Sequence, residues 1–316
     1  MVKRQGQRKR KGMSASKPRK VSVSHLLEVG TLESIKNAKL VTSEHLKYQW
    51  MNYAELAGQR SLIKEAIGQA LTQTCISYSV KNWQRAVKYK YGLHPFSTMG
   101  SLVFIGGRFN TGTGVNPEVP FFPALYLAQD KDTALQEHLG QQPCDPEFNL
   151  SPREVALTNP ASETIVSVSG KLDKILDLTN PKSLNVFIEL VKNFKISKEL
   201  IALARRLRTQ RPRIIKTSDE LLKTLLQPDW RKIPSNCDVP SNSQIFGHLI
   251  YSAGIEGILY PSKFTGKLCL AVFPRNFVGT DSFVVLDDEV PHPKVPARID
   301  ASSWRLCEMG AKEIIG

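Results

Sequence analysis

From about residue 95 the chain changes texture, and that change limits its folds more than any other feature. Short apolar runs appear there: "SLVFI" (101–105), "ALYLA" (124–128), "TIVSVS" (164–169), "EGILY" (256–260), "LCLAVF" (268–273) and "FVVL" (283–286). Each has the length of a strand rather than a helix, and Gly/Pro-rich turns or helical stretches separate them. "DKDTALQEHLG" (130–140) reads as a helix opened by Asp130 or Asp132 and stopped by Gly140. "SQIFGHLIYSAG" (243–254) reads as another, capped at Ser243. Strands mixed irregularly with helices predict an α+β fold rather than a regular βαβ array.

The flanking regions read differently. Residues 25–90 carry apolar residues at helical intervals, with Ser43 and Ser61 as N-caps, and define a helical accessory region that runs to about residue 94. Residues 181–228 read as a second helical stretch, inserted into the strand-rich part. Residues 1–20 hold nine Lys/Arg and no acid, so much of the net charge of +14 sits in a tail, residues 1–24, expected to be disordered. Such a tail suits weak, non-specific phosphate contacts or solubility alone.

Chemistry that needs clustered metal ligands finds no support. The five cysteines form no CxxC pair and the six histidines no HExxH spacing, so neither a metal site nor a disulfide framework is expected. No apolar run is long enough for a transmembrane helix, and the basic N-terminus lacks the apolar core of a signal peptide; a cytoplasmic protein is the expectation.

The stretch "GGRFNTGTG" (106–114) sets four glycines around one arginine. Glycine clusters mark sharp turns or close backbone approach. Together with three later segments it carries a family resemblance. "GGRFNTGTGVNPEVPFFPALYLAQDKDTALQE", "VSVSGKLDKILDLTNP" and "SQIFGHLIYSAGIEGILYPSKFTGKLCLAVFP" follow one another as the signatures of the RES-domain family do. The chain resembles that family over about residues 95–290, leaving 291–316 as a C-terminal segment. The resemblance implies an ADP-ribosyltransferase-like split β-sheet core, here with an added helical N-terminal region and a helical insertion. It also implies an activity that consumes NAD⁺ as a substrate, with no resident cofactor, in a toxin held inactive by a partner antitoxin. The matching arginine, glutamate and serine are Arg108, Glu137 and Ser262, with Tyr126 as the strand tyrosine; Gly107 and Asn110 join the NAD⁺-binding set. The chain departs from a compact toxin in its two helical additions and in the longer loop between Arg108 and Tyr126.

Each residue also has a plainer reading. Arg108 suits a phosphate clamp, because a guanidinium holds two oxygens with parallel hydrogen bonds, or it pairs with a surface acid. Tyr126 suits a platform for a charged nicotinamide ring, or a core position. Glu137 suits stabilisation of an oxocarbenium-like ribose, or a solvent-facing helix surface. Ser262, after Pro261, suits a phosphate or amide contact, or a turn cap. His94 and Arg85 are further candidates for the pocket. The activity expected is cleavage of the nicotinamide–ribose bond by a glycohydrolase or phosphorylase. The alternatives are a protein ADP-ribosyltransferase and a non-catalytic nucleic-acid-binding protein acting through its basic tail.

Overall fold

A computed structural model describes residues 32–139 and 163–315. The basic tail and the proposed stop at Gly140 lie outside the described residues. The chain divides into two units, residues 1–44 and 45–316, and the second carries the sheet and the sites discussed below.

Two helices come first, α1 (Leu32–Leu62) and α2 (Lys64–Thr72). Ser43 and Ser61 lie inside α1, so neither is an N-cap. The expected helical region then ends early: residues 76–88 form a 13-residue strand, β1 (Ile76–Lys88). Val80, Trp83, Arg85 and Val87 are buried along it. A register shift between Val80 and Trp83, with Asn82 at φ 54°, interrupts the alternation. That bulge hides the strand from a search for period two. Conversely, "SLVFI" is no strand. Residues 99–102 form a 3₁₀ turn, and Phe104 sits exposed at φ 53°. Only the two-residue strands β2 (Gly106–Gly107) and β3 (Asn110–Thr111) follow, paired with each other.

Most of the remaining elements fall near their expected places, while the helix at 232–237, the strand at 298–300 and the helix at 311–315 lie where none was expected. In chain order the remaining elements are β4 (Leu125–Ala128), α3 (Lys131–Leu139), β5 (Glu163–Asp177), α4 (Asn185–Val191), α5 (Lys198–Arg206), α6 (Ser218–Leu225), α7 (Lys232–Cys237), α8 (Asn242–Ser252), β6 (Gly257–Pro261), β7 (Leu268–Val272), β8 (Phe283–Leu286) and β9 (Arg298–Asp300), with a last short helix at 311–315. Asp130 caps α3 by accepting from the Thr133 N–H at 2.9 Å. The cap of α8 is Ser241, not Ser243: the Ser241 hydroxyl accepts from the Gln244 N–H while the Gln244 side chain accepts from the Ser241 N–H.

One seven-stranded sheet runs β1-β4-β7-β6-β5-β8-β9, and β1 pairs with β5 as well. β5 is long enough to serve two neighbours in succession. Residues 168–171 pair with β8, and residues 175–177 pair in parallel with β6. The sheet therefore splits along β5. It also reaches past both ends of the expected 95–290 domain, since β1 precedes that span and β9 follows it.

Alternation along the short strands separates two cores. Leu125 and Leu127 of β4, Leu259 of β6, and Leu270 and Val272 of β7 pack into one cluster. Ala128, Tyr260, Cys269 and Ala271 face the other, where they meet Phe109, Phe122, Phe187 and Phe246 from the turn and helices, with Tyr126 packed against its edge. The second face also holds the candidate site. No helix among the described residues is long and apolar enough to cross a membrane.

Candidate active site

A cavity of about 260 Å³ opens on that face. Gly107, Arg108, Tyr126 and Glu137 all line it, although they come from the turn, from β4 and from α3. Its floor holds Tyr260 and Cys269 from the neighbouring strands. Neither α2 nor residues 45–62 of α1 contribute to its lining.

The glycine turn is shaped mainly by its own chain. Gly106 has φ 87°, a conformation that favours glycine. A Cβ on Gly107 would collide with the Tyr126 hydroxyl, so the backbone lies directly on that ring's edge. Asn110, fully buried, stitches the turn together. Its Oδ1 accepts from the Gly107 N–H (3.0 Å) and the Tyr126 hydroxyl (2.9 Å), and its Nδ2 donates to the carbonyls of Ser101 (2.8 Å) and Phe122 (3.0 Å). The Asn110 side chain thus spends its hydrogen-bonding capacity within the protein, on Gly107, Tyr126, Ser101 and Phe122. Gln244 of α8 completes the support, its Nε2 donating to the carbonyls of Ile105, Gly107 and Asn110 at 2.7–3.1 Å.

Tyr126 offers the cavity its ring, not its hydroxyl. The oxygen donates to Asn110 and accepts from the Phe109 N–H at 3.0 Å. Burial pushes its pKa well above the usual phenol value, as it does for Tyr260, so both rings stay neutral. Cys269 is likewise raised by burial and stays a thiol rather than a nucleophilic thiolate.

Arg108 is 5 % exposed. Its Nη1 donates to the carbonyls of Gln227 (2.8 Å) and Leu225 (3.4 Å), just after α6. The guanidinium lies 5.9 Å from the Trp230 ring centre. Part of the expected clamp is therefore engaged in holding the 225–230 segment against the cavity.

Glu137 is half-buried, and one oxygen accepts from the Ser262 hydroxyl at 2.6 Å. Ser262 itself is buried and does not line the cavity. Its oxygen also accepts from the N–H groups of Phe264 and Thr265 at 3.2 and 3.4 Å. In the structure the Ser262 hydroxyl caps its own turn and meets Glu137.

Two further candidates are hydrogen-bonded to the protein's own backbone. His94 is fully buried, its Nε2 bonded to the Leu306 carbonyl at 2.7 Å, and burial lowers its pKa. Arg85 reaches the cavity wall, but its nitrogens donate to the carbonyls of Pro95, Ser97 and Tyr126 at 2.7–3.3 Å. Burial lowers its pKa to about 10, which leaves it charged at neutral pH.

Sequence reasoning missed Trp230 and Arg231, which also line the cavity. They follow the helical insertion in the polar stretch "QPDWRK". The adjacent aromatic and cation were the available signal, and nothing in the spacing tied them to Arg108. No group of His, Cys, Asp and Glu among the described residues is arranged to hold a metal ion.

A search of curated proteins finds no match. Among solved structures, the chain is similar to one in the crystal structure of the M. tuberculosis MbcT–MbcA toxin–antitoxin complex. The two share 15 % identity, with 77 % of this chain and 97 % of that one covered and a TM-score of 0.41. The family model for the RES domain matches residues 82–295, a span that takes in half of β1 and every site residue above. The chain belongs to the RES-domain family.

Proposed function

We propose that the cleft binds NAD⁺ and that the protein breaks its nicotinamide–ribose bond. The observation that carries this reading is the convergence of a guanidinium, an aromatic ring and a carboxylate on one cavity: Arg108, Tyr126 and Glu137. The cavity volume lies just below the usual range of roughly 300–1,000 Å³ for whole ligands. It suits the nicotinamide-ribose end, with the remainder of the dinucleotide leaving through the mouth.

In this reading Tyr126 presents a neutral ring to the cationic nicotinamide. As the glycosidic bond breaks, both electrons go to the nicotinamide nitrogen and positive charge grows on the ribose carbon. Glu137, aimed by Ser262, stabilises that charge. Arg108 supplies positive charge for the phosphates. Water as acceptor gives ADP-ribose and a proton, whereas inorganic phosphate gives a phosphorylated ADP-ribose. Unchecked loss of NAD⁺ would starve a cell. Membership of a family rich in toxins therefore supports a cytoplasmic toxin, neutralised by an antitoxin that covers the cleft.

The test is to incubate the purified full chain with NAD⁺, with and without phosphate, and to follow nicotinamide and the ribosyl products. Nicotinamide release is expected, and Arg108→Ala is expected to raise KM about tenfold or more through the lost charge-assisted contact. Intact NAD⁺ with folded, partner-free protein would overturn the reading.

A further inference from the structure

One part of the cavity lining, Trp230 and Arg231, does not come from the turn, α3 or the strands of the family motifs. It comes from the residues after α6. Arg108 holds that segment in place through the carbonyls of Leu225 and Gln227. Trp230 follows, 6 % exposed, with a guanidinium near its ring on either account: Arg108 at 5.9 Å and Arg231 at 4.7 Å from the centroid. Arg231 lines the cavity yet is solvent-exposed, which places it at the mouth.

The charges there do not balance. Among the described residues the Arg231 guanidinium makes no ion pair and no hydrogen bond, whereas its neighbour Lys232 pairs with Asp229 at 3.2 Å. Loss of hydration lowers the Arg231 pKa, and the charge of Arg108 lowers it further; Glu137 acts against both. Tyr126 and Tyr260 are neutral, so four cations, Arg85, Lys88, Arg108 and Arg231, line the cavity with one carboxylate, Glu137. Like charges kept close in a partly dehydrated cleft are unfavourable until an anion joins them.

We propose that Trp230 and Arg231 form the second half of the ligand site, with Arg231 gripping the substrate's pyrophosphate at the cavity mouth. The inference rests on the reading of the cleft as an NAD⁺ site and adds the group that selects a dinucleotide over a nucleoside. Arg108 has one nitrogen committed to carbonyls, so a pyrophosphate needs a further donor fork, and Arg231 supplies it. The helical insertion then has a role in the reaction, because it delivers this wall.

The experiment compares the full chain with Arg231→Ala and Arg231→Lys, titrated with ADP-ribose and with nicotinamide riboside, which lacks phosphate. Arg231→Ala is expected to weaken ADP-ribose about tenfold and leave nicotinamide riboside within about twofold, with lysine intermediate. With NAD⁺, KM should rise far more than kcat falls. Ligand-induced quenching of tryptophan fluorescence should disappear in Trp230→Phe, with melting curves reporting that each variant is folded. Unchanged ADP-ribose affinity in Arg231→Ala, or an equal loss for both ligands, would overturn the proposal. Arg231-dependent binding of ADP-ribose without NAD⁺ turnover would uphold it and sink the catalytic reading. Turnover indifferent to Arg231 would do the reverse.

Discussion

Glu256 and Glu137 occupy two regions served by the same sheet, and the protein treats them in opposite ways. Glu256, fully buried before β6, accepts from the N–H groups of Asp173 (2.8 Å) and Lys174 (3.1 Å) and from the Ser282 hydroxyl (2.6 Å), all at one oxygen. Those donors tie β5 to the β6 and β8 ends of the sheet. Glu137 accepts one hydroxyl, from Ser262, and makes no other hydrogen bond among the described residues while facing the cavity. The first carboxylate completes the fold by satisfying backbone donors that would otherwise be orphaned. Among the described residues each carboxylate keeps an oxygen without a hydrogen-bond partner, but that of Glu256 is sealed in the core, whereas Glu137 faces the cavity, which is the condition for acting on a ligand.

The largest effect should separate the two directly. Glu137→Gln is expected to reduce NAD⁺ turnover roughly 10²–10³-fold, with little change in melting temperature, because it removes charge where the transition state develops it. Activity and melting assays on one preparation check this, and a destabilised variant of normal activity would dissolve the contrast. Glu256→Ala should do the opposite. It leaves buried donors unpaired, at a cost of about 3 kcal/mol in denaturant unfolding, while activity per folded molecule persists. Asn110→Ala sharpens the boundary between the regions. It should cost about 2 kcal/mol of stability and also lower turnover, since the same amide orients Gly107 and Tyr126. Ser262→Ala should have the smallest effect, a fall of about tenfold in kcat with KM nearly constant, because it loosens Glu137 without touching the ligand. A rise in KM alone would instead place Ser262 against the substrate.

Much of this arrangement was legible in the chain. The strand at 125–128 was readable because its alternation is clean: Leu125 and Leu127 go to one core, and Tyr126 and Ala128 to the other face. The helix at 131–139 announced itself through Asp130, which does cap it. β1 was lost because a bulge at Asn82 breaks its period, and because helical spacing in α2 runs on into it. "SLVFI" misled in the other direction. Apolar content does not reveal whether a partner strand exists, and here the segment becomes a turn with Phe104 exposed. In the site, Arg108, Tyr126 and Glu137 were found through motif and residue type, while Asn110 and Ser262 were assigned to the ligand although their hydrogen bonds run to the protein.

By itself the sequence determined the α+β class, the family and the three side chains that meet in the cleft, because local periodicity, caps and short motifs are written in neighbouring residues. Only the tertiary structure decided which polar groups retain bonding capacity and which wall faces them. Whether Ser262 meets a ligand or a glutamate, and whether Arg231 stands alone or opposite Arg108, depends on contacts between residues more than a hundred positions apart, and no local pattern encodes those.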